Sequence, residues 1–248
     1  MRCGVFFLRV IAYIEPMSDS KKTGGLGDIA SRRREAVRVK AKSRRSESSR
    51  QWLQRQLNDP YVAAAQKDGY RSRAAYKLLQ LDEKFELLKP GMRVVDLGAA
   101  PGGWTQVVSK KLGQKAGKLI ALDILPMDPL EGVDILQLDF LADDAPDKLK
   151  AIMGGPADLV LSDMAPSTTG HPATDHIRIM AMAELAAYFA VDVLAPGGSF
   201  VCKFFQGGAE KDVLNLLKKH FAKTRHAKPA ASRAESSETY LVAQGFRP

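Results

Sequence analysis

The residues best suited to chemistry form a glycine-rich turn directly after a short apolar segment. The segment ends in Val94-Val95-Asp96-Leu97, and the turn reads Gly98-Ala99-Ala100-Pro101-Gly102-Gly103. Glycine lets a backbone approach a ligand closely, and open α/β sheets bind ligands beyond the carboxyl ends of their strands. The glycine spacing departs from the G-x-G-x-x-G fingerprint of dinucleotide-binding proteins. The turn therefore predicts a small-ligand site and disfavours an NAD-dependent dehydrogenase.

Acidic residues recur at the ends of successive predicted strands. Asp96 precedes the glycine turn, where it suits a cationic ligand better than a diphosphate. Asp123 ends the second strand, where a carboxylate can accept hydrogen bonds from ribose hydroxyls, and Asp139 follows the third, where one could bind an adenine amino group. Each acid alone could be a solvated turn residue. Together they indicate S-adenosylmethionine rather than NAD as the ligand.

Lysines and further acids lie near the same predicted edge. Lys203 stands inside an apolar strand, where it is costly to bury unless paired, although an edge-strand lysine can keep its ammonium in water. Asp163 ends the fourth predicted strand, where it could instead cap a turn. Lys77 is mid-helix and could be solvated, and pattern alone does not choose between Glu235 and Glu238 before the last strand.

The elements that must position these residues alternate between strands and helices. This alternation predicts a mostly parallel sheet covered on both faces, and the last two strands are joined too tightly for a crossover, so one of them is expected to be antiparallel. Ser72 is the expected N-cap of the third helix. Strands are expected at 93–97, 118–123, 133–140, 158–163, 199–205, 223–229 and 239–245, and helices at 49–57, 61–67, 72–85, 104–112, 176–194 and 211–221.

The positive charge is concentrated in one fifth of the chain. The net charge is +9, and residues 1–50 hold 13 Lys and Arg against 5 Asp and Glu, whereas residues 51–248 hold 24 against 23. We predict that residues 1–47 form a disordered basic arm and that residues 48–248 form the folded domain. Met17 is the expected start of translation, because Arg9 interrupts any signal-peptide core. The basic surplus suggests a nucleic acid partner.

Composition excludes several other classes of protein. Two cysteines, Cys3 and Cys202, are too few for a disulfide scaffold or a cysteine-rich zinc site. No cluster of His, Cys and Asp has metal-ligand spacing, so no metal is expected. No apolar run reaches the roughly 18 residues of a membrane-spanning helix. We therefore expect a cytoplasmic protein.

Five segments of the chain resemble the FtsJ/RrmJ-type ribosomal RNA 2′-O-methyltransferases, and specifically the bacterial members that methylate a uridine of the large-subunit RNA. The resemblance extends from about residue 48 to the C-terminus, and the basic arm has no part in it. The segments are Arg71-Ser72-Arg73-Ala74 with Lys77, Asp96 to Trp104, Leu125-Pro126-Met127-Asp128-Pro129, Ser162-Asp163-Met164-Ala165-Pro166 and Ala195 to Phe200.

The resemblance implies a Rossmann-like fold that uses S-adenosylmethionine, with a seven-stranded, mostly parallel sheet, one antiparallel strand and helices on both faces. It implies that a tetrad of side chains carries the reaction, and it selects Glu238 over Glu235 because Glu238 directly precedes the last strand. The implied cofactor contacts are Gly102, Trp104, Asp123, Asp139 and Asp163, and the implied tetrad is Lys77, Asp163, Lys203 and Glu238.

The reaction implied is methyl transfer, on the assembled 50S subunit, to a ribose 2′-hydroxyl of a uridine in the A-loop of 23S RNA. Such a hydroxyl must lose its proton as it attacks, so a base is required. We expect Lys203 to be that base, since burial and a nearby cation, Lys77, would both lower its pKa. Asp163 would orient Lys203, and Glu238 would balance the charge.

Contacts with RNA are expected just before the first lysine of the tetrad. Lys67, Arg71 and Arg73 are placed to hold phosphates, and Trp52 and Tyr61 could stack on bases, although core packing suits them better. Two alternatives stay open. The chain could methylate a different RNA, or it could be a non-catalytic RNA-binding factor of ribosome assembly; the complete tetrad argues against the second.

Overall fold

The computed structural model describes residue 29 and residues 47–113, 117–167, 169–205, 211–234 and 236–248. The predicted basic arm lies outside these residues, apart from Ile29 and Glu47, as does Glu235. Within the described part, the elements in chain order are α1 (Glu47–Leu57), α2 (Pro60–Asp68), α3 (Ala75–Phe85), β1 (Arg93–Leu97), α4 (Gly103–Leu112), β2 (Lys118–Asp123), β3 (Asp134–Gln137), α5 (Ala145–Met153), β4 (Ala157–Ser162), α6 (Pro172–Val193), β5 (Leu194–Phe205), α7 (Lys211–His220), β6 (Phe221–Ala227) and β7 (Glu238–Phe246).

The seven strands form one sheet in the order β3-β2-β1-β4-β5-β7-β6. β7 runs antiparallel to both β5 and β6, and the pairs from β3 through β5 are parallel. The prediction of a mostly parallel sheet with one antiparallel strand is confirmed. From β1 the chain continues to β2 on one side, and β4 lies on the other. Such a reversal opens a crevice at the carboxyl ends of the strands.

Helices cover both faces of the sheet, as predicted. Helices α5, α6 and α7 pack on one face through residues such as Met153, Ala186 and Leu217. Helices α3 and α4 pack on the other, with Leu78 and Val108. The short helix α2 belongs to a third, smaller cluster of buried residues, which comprises Ile29, Tyr61, Ala64, Ala65, Tyr76 and Ala231. The sheet therefore divides the core into two parts. Since helices cover both faces, a ligand site is expected at the carboxyl ends of the strands.

Several elements differ from the prediction; α6 and β5, for example, begin four and five residues earlier than expected. No helix was expected between the third and fourth strands, where α5 forms; Pro146 in its first turn and Gly154 at its C-cap were the available signals. β3 spans Asp134–Gln137 and so ends three residues before the predicted bound. Asp139 therefore lies in a loop beyond the strand, still on the carboxyl side of the sheet.

The start of α3 also corrects the prediction that Ser72 is its N-cap. Ala74 occupies that position without a side-chain hydrogen bond. The Ser72 hydroxyl is buried without a partner, and a Cβ added to Gly103 would lie 2.2 Å from it. The starts of α3 and α4 therefore touch, which is possible only because Gly103 has no side chain. This contact fixes α3 beside the glycine turn.

At Gly98 the end of β1 approaches the residues after β4 so closely that a side chain there should lower stability. The φ of Gly98 is +74°, and an added Cβ would lie 2.8 Å from the backbone N and Cα of Met164. Gly132 has nearly the same φ, +73°, with nothing within 4 Å. We expect Gly132→Ala to lower the free energy of unfolding by about 1–2 kcal/mol from backbone strain alone, and Gly98→Ala to lower it by a further ~1–3 kcal/mol from overpacking.

Urea unfolding of the two variants beside the unsubstituted protein measures this difference. Equal losses for the two variants would show that the backbone of Met164 yields easily, and that the close approach of β1 and β4 at Gly98 is not a constraint.

Candidate active site

Lys203 and Asp163 form a pair across the carboxyl ends of neighbouring strands. Asp163 directly follows β4, and its backbone N–H donates to the carbonyl of Leu97 at 3.1 Å. The Lys203 ammonium donates to Oδ1 and to the backbone oxygen of Asp163, at 2.9 Å each. The two side chains are only 10% and 16% exposed. β5 lies between β4 and β7, so Lys203 is a paired interior lysine and not an edge-strand lysine in water.

Lys77 and Glu238 form a second pair beside the first. The Lys77 Nζ lies 2.8 Å from Oε1 and 2.9 Å from Oε2 of Glu238, although 161 residues separate them in the chain. The Ser232 hydroxyl donates to Oε1 of Glu238 at 2.8 Å. Lys77 is therefore held in the site and is not on the solvated face of α3, which was the alternative interpretation.

Tyr240 connects the two pairs, and it was not among the residues predicted from the sequence. It lies opposite Lys203 in the β5–β7 register, and its hydroxyl donates to Oδ1 of Asp163 at 2.8 Å. Its ring centroid lies 5.7 Å from the Lys77 Nζ and 5.6 Å from the ring of Trp104. Burial, and then Asp163 and Glu238, raise the pKa of Tyr240, so it stays a proton donor. Its spacing of two from Glu238 on one strand was the available signal.

The charges of the first pair hold each other in the ionised form. Burial acts to raise the pKa of Asp163, but Lys203 and then Lys77 outweigh it and lower that pKa. Burial acts to lower the pKa of Lys203, but Asp163 and Glu238 outweigh it and raise that pKa. This direction is opposite to the lowered lysine pKa that we expected from the sequence. The reason is that Lys203 faces carboxylates more closely than it faces a second cation.

Asp123 at the end of β2 and Asp139 in the loop after β3 bind the backbone of loops that expose apolar residues. Asp123 accepts hydrogen bonds from the backbone of Ala100 at 2.9 Å and Leu125 at 2.8 Å, and Asp139 accepts one from Leu141 at 2.9 Å. Ile124 is 61% exposed, and Leu125 and Leu141 also lie largely in solvent. Hydrogen-bonding acids beside exposed apolar side chains fit a nucleoside, with a polar ribose and a flat base.

Asp96 lies beneath this surface as a buried, half-satisfied carboxyl. Thr105 donates to its Oδ2 at 2.7 Å, and its Oδ1 has no partner. Burial raises the pKa of Asp96 to about 7; Asp163 and Asp123 raise it further by repulsion, and Thr105 opposes them. A buried carboxyl that two other carboxylates repel favours a positively charged ligand beside it. The residues present therefore fit S-adenosylmethionine, whose reacting sulfur is cationic.

The glycine turn and the acids Asp96, Asp123 and Asp139 form a candidate cofactor surface, which we call the cradle. Within this cradle, Arg71 lies against Gly102. Gly102 has a φ of +105°, and an added Cβ would lie 2.7 Å from Nη1 of Arg71. The Arg71 guanidinium donates to the carbonyls of Asp128 at 2.9 Å and Pro129 at 2.8 Å. Arg71, predicted above as an RNA contact, therefore ties the Leu125–Pro129 loop to the glycine turn, and any contact with RNA would share these bonds.

Trp104 and Arg73 also have roles inside the protein. Trp104 is 3% exposed and donates from its indole to the carbonyl of Ala74 at 2.8 Å, so its side chain supports Tyr240 from below. Arg73 pairs with Asp59 at 2.5 Å and donates to the carbonyl of Ala231. Lys67, by contrast, is exposed at the end of α2. Their contacts with cofactor and RNA stay predictions.

Of the two aromatic residues considered for stacking on bases, Tyr61 lies in the described part of the structure and is packed in the core. Tyr61 is 3% exposed and belongs to the α2 cluster, so core packing is its role, and the side chain of Trp52 lies outside the described residues. In the described ranges, no group of three or more His, Cys, Asp or Glu side chains is placed to hold a metal ion. Nor is any helix there long and apolar enough to cross a membrane.

Known proteins resemble the chain over most of its length. Residues 70–246 match the model of the FtsJ-like methyltransferases. The proteins named ribosomal RNA large subunit methyltransferase E from Paramagnetospirillum magneticum and Acidiphilium cryptum are 61% and 60% identical. The alignments cover 91% and 89% of this chain, and 94% and 96% of theirs.

A solved structure is also similar in sequence and fold. It is a Plasmodium falciparum protein assigned to the ribosomal RNA methyltransferases, 32% identical with a TM-score of 0.65, and it covers 71% of this chain and 98% of its own. Residues 70–246, which match the family model, contain β1 to β7 and all four members of the two lysine–carboxylate pairs. The Rossmann-like methyltransferase fold is thereby confirmed, and the chain belongs to the FtsJ-like methyltransferase family.

Proposed function

We propose that this chain transfers a methyl group from S-adenosylmethionine to the ribose 2′-hydroxyl of a uridine in the A-loop of large-subunit (23S) ribosomal RNA. We propose the assembled 50S subunit in the cytoplasm as its substrate. The names of relatives about 60% identical support large-subunit ribosomal RNA as the class of substrate. The choice of nucleotide and of atom rests on the family resemblance of the site.

The observation that carries the proposal is the meeting of two lysines and two carboxylates at the carboxyl edge of the sheet. The ammonium nitrogen and a carboxylate oxygen lie 2.8–2.9 Å apart in both pairs, Lys203–Asp163 and Lys77–Glu238. A hydroxyl that attacks a methyl group needs a base for its proton and positive charge for the developing alkoxide. We assign the base to Lys203 and the positive charge to Lys77.

The carboxylates then have positioning roles. Asp163 accepts from both Lys203 and Tyr240, so it fixes the direction of the Lys203 amine. Glu238 fixes Lys77 and is fixed in turn by Ser232. Much of the rate gain in such a site comes from holding the reacting atoms in line.

The cofactor would be held on the β1–β2–β3 side of these pairs. S-adenosylmethionine supplies a methyl group on a positively charged sulfur. Gly98 and Gly102 allow close approach of the backbone, and Asp123 and Asp139 can accept from ribose and adenine. Asp96 and Asp163 provide the negative potential that favours the sulfonium.

A methylation map of ribosomal RNA tests the function directly. We expect a strain that lacks the gene to lose one 2′-O-methyluridine of the large-subunit RNA, measured by mass spectrometry, and the intact gene to restore it. Loss of a methyl group from another RNA would show that this other RNA is the substrate. An unchanged map with defective subunits would favour a non-catalytic assembly factor and reject methyl transfer.

Removal of the proposed base should stop turnover and leave cofactor binding intact. We expect Lys203→Met to lower the single-turnover rate at least about 1,000-fold, because the hydroxyl proton loses its acceptor. Calorimetry should still detect S-adenosylmethionine binding. Lys223→Met, at an exposed lysine of β6, is the matched control and should keep the full rate.

The pH dependence of the unsubstituted protein separates two roles for Lys203. Its raised pKa keeps it protonated at neutral pH, so a base role requires a rate that rises about tenfold per pH unit from pH 7 to 9. A flat profile over that range would reject the base role and leave Lys203 as a source of positive charge.

Tyr240→Phe tests the connection between the two pairs. The change removes the hydroxyl that donates to Asp163 and keeps the ring against Trp104. We expect kcat to fall about tenfold with the KM for RNA unchanged, and the free energy of unfolding to fall by about 1 kcal/mol. Tyr188→Phe, on the exposed face of α6, is the control. A change in KM alone would contradict a positioning role.

Asp96 should make the preference for the methylated cofactor depend on pH. Above a pH of about 7 its carboxyl is ionised and attracts a sulfonium, whereas S-adenosylhomocysteine carries a neutral sulfur. We expect the ratio of the Kd of S-adenosylhomocysteine to that of S-adenosylmethionine to rise about five- to tenfold between pH 5.5 and 8. Calorimetry measures both constants. Asp96→Asn should remove the rise, and an unaltered rise in that variant would exclude Asp96 as its origin.

A further inference from the structure

An open cleft lies beside the two lysine–carboxylate pairs. Its volume is about 330 Å³, near the lower end of the range for small-ligand sites. It lies where α1 and the start of α2 meet the loop before β7. The residues that line it are Arg55, Asn58, Asp59, Pro60, Tyr61, Arg73, Ala230, Ser232, Arg233 and Ala234.

The cleft carries more positive charge than its one carboxylate neutralises. Asp59, whose side chain is 7% exposed, pairs with Arg73 at 2.5 Å and with Arg233 at 3.4 Å. Arg55 makes no ion pair with any residue in the described part of the chain. Three guanidinium groups thus line a cleft that contains one carboxylate, and two of them pair with it.

The largely buried guanidinium group of Arg73 shows the effect of this excess of positive charge. Its Nε is buried without a hydrogen-bond partner. Burial lowers the pKa of Arg73, and the neighbouring Arg233 lowers it further; Asp59, and after it Glu238 and Tyr61, act in the opposite direction without cancelling the shift. The cleft can therefore accept another anion, and guanidinium groups bind phosphate oxygens in two-pronged geometry.

The cleft shares a wall with the proposed catalytic site. Ser232 lines the cleft, and its hydroxyl donates to Glu238, which holds Lys77. Arg73 lies in the cleft just four residues before Lys77. An RNA strand with its ribose at Lys77 would therefore pass the opening of the cleft.

We propose that this cleft binds a backbone phosphate of the RNA strand near the methylated ribose, through Arg55 and Arg233. The proposal rests on the proposed function only for the path of the strand past Lys77. The cleft then positions the strand and does not read its sequence. A free phosphate ion has the same chemistry, and the experiment separates these two sources.

The experiment measures RNA affinity for Arg55→Gln, Arg233→Gln and the double variant. Fluorescence anisotropy with a labelled transcript that contains the A-loop of 23S RNA gives Kd at several salt concentrations. We expect each single change to weaken binding about five- to tenfold and to reduce the slope of log Kd against log salt by about one. The Kd for S-adenosylmethionine should stay unchanged.

The control is Lys89→Gln, at an exposed lysine between α3 and β1, at the opposite edge of the sheet. It removes the same charge and should leave affinity and slope near those of the unsubstituted protein. Arg55 has no ion pair to lose within the described residues, so a loss of affinity in Arg55→Gln is not a folding defect. Neutral methylphosphonates placed singly in the RNA should weaken binding at one position near the target ribose, and only when Arg55 and Arg233 are present.

Two other outcomes would overturn the proposal, and a third would reject only the proposed function. Unsubstituted affinity and salt slope in the double variant would exclude the cleft from RNA binding, while methyl transfer by the unsubstituted protein would leave the proposed function intact. Inorganic phosphate that binds the cleft, detected by phosphorus NMR, with no change in RNA affinity on substitution, would identify a free anion as the ligand. Reduced RNA affinity in the variants, in a protein that methylates no ribose, would support the cleft and reject the proposed function.

Discussion

The site depends on the mutual neutralisation of buried charges at the edge of the sheet. An unpaired ammonium in this position would cost several kcal/mol, so each lysine must find a carboxylate within contact distance. Lys203 finds Asp163 at the end of the next strand, and Lys77 finds Glu238 across the chain. The pairs thereby fix where β4, β5, β7 and α3 end or begin relative to one another. Such a site is already ordered before any ligand arrives.

The close packing around two glycines serves the same end. Gly103 lets the start of α3 touch α4, which brings Lys77 to the sheet edge, and Gly98 lets β1 approach the residues after β4, which brings Asp163 beside the cradle. Arg71 then joins the cradle to the Leu125–Pro129 loop. A small number of contacts thus relates the cofactor side to the lysine side.

Local pattern was enough to predict the sheet, its antiparallel strand and the acids at its edge, because strand period and turn residues are local properties. It was not enough for the partners of Lys77, since Glu238 lies 161 residues away. Nor did it single out Tyr240 or reveal the intramolecular partners of Arg71 and Arg73, because the carbonyls and carboxylates that bind these side chains come from distant parts of the chain. The prediction that the pKa of Lys203 is lowered was wrong for the same reason. Asp163 and Glu238 face it only in the folded chain, and α5 was missed because its apolar stripe is short.

β7 follows β6 in the chain and yet lies between β5 and β6 in the sheet. Its antiparallel direction brings its first residue, Glu238, to the edge where the parallel strands end. During synthesis β7 leaves the ribosome after every other strand of this sheet. A nascent chain therefore lacks the strand that pairs with both β5 and β6 until β7 is added, and the same event supplies Glu238 and Tyr240. Completion of the fold and completion of the site coincide, so no partly made protein has the assembled tetrad.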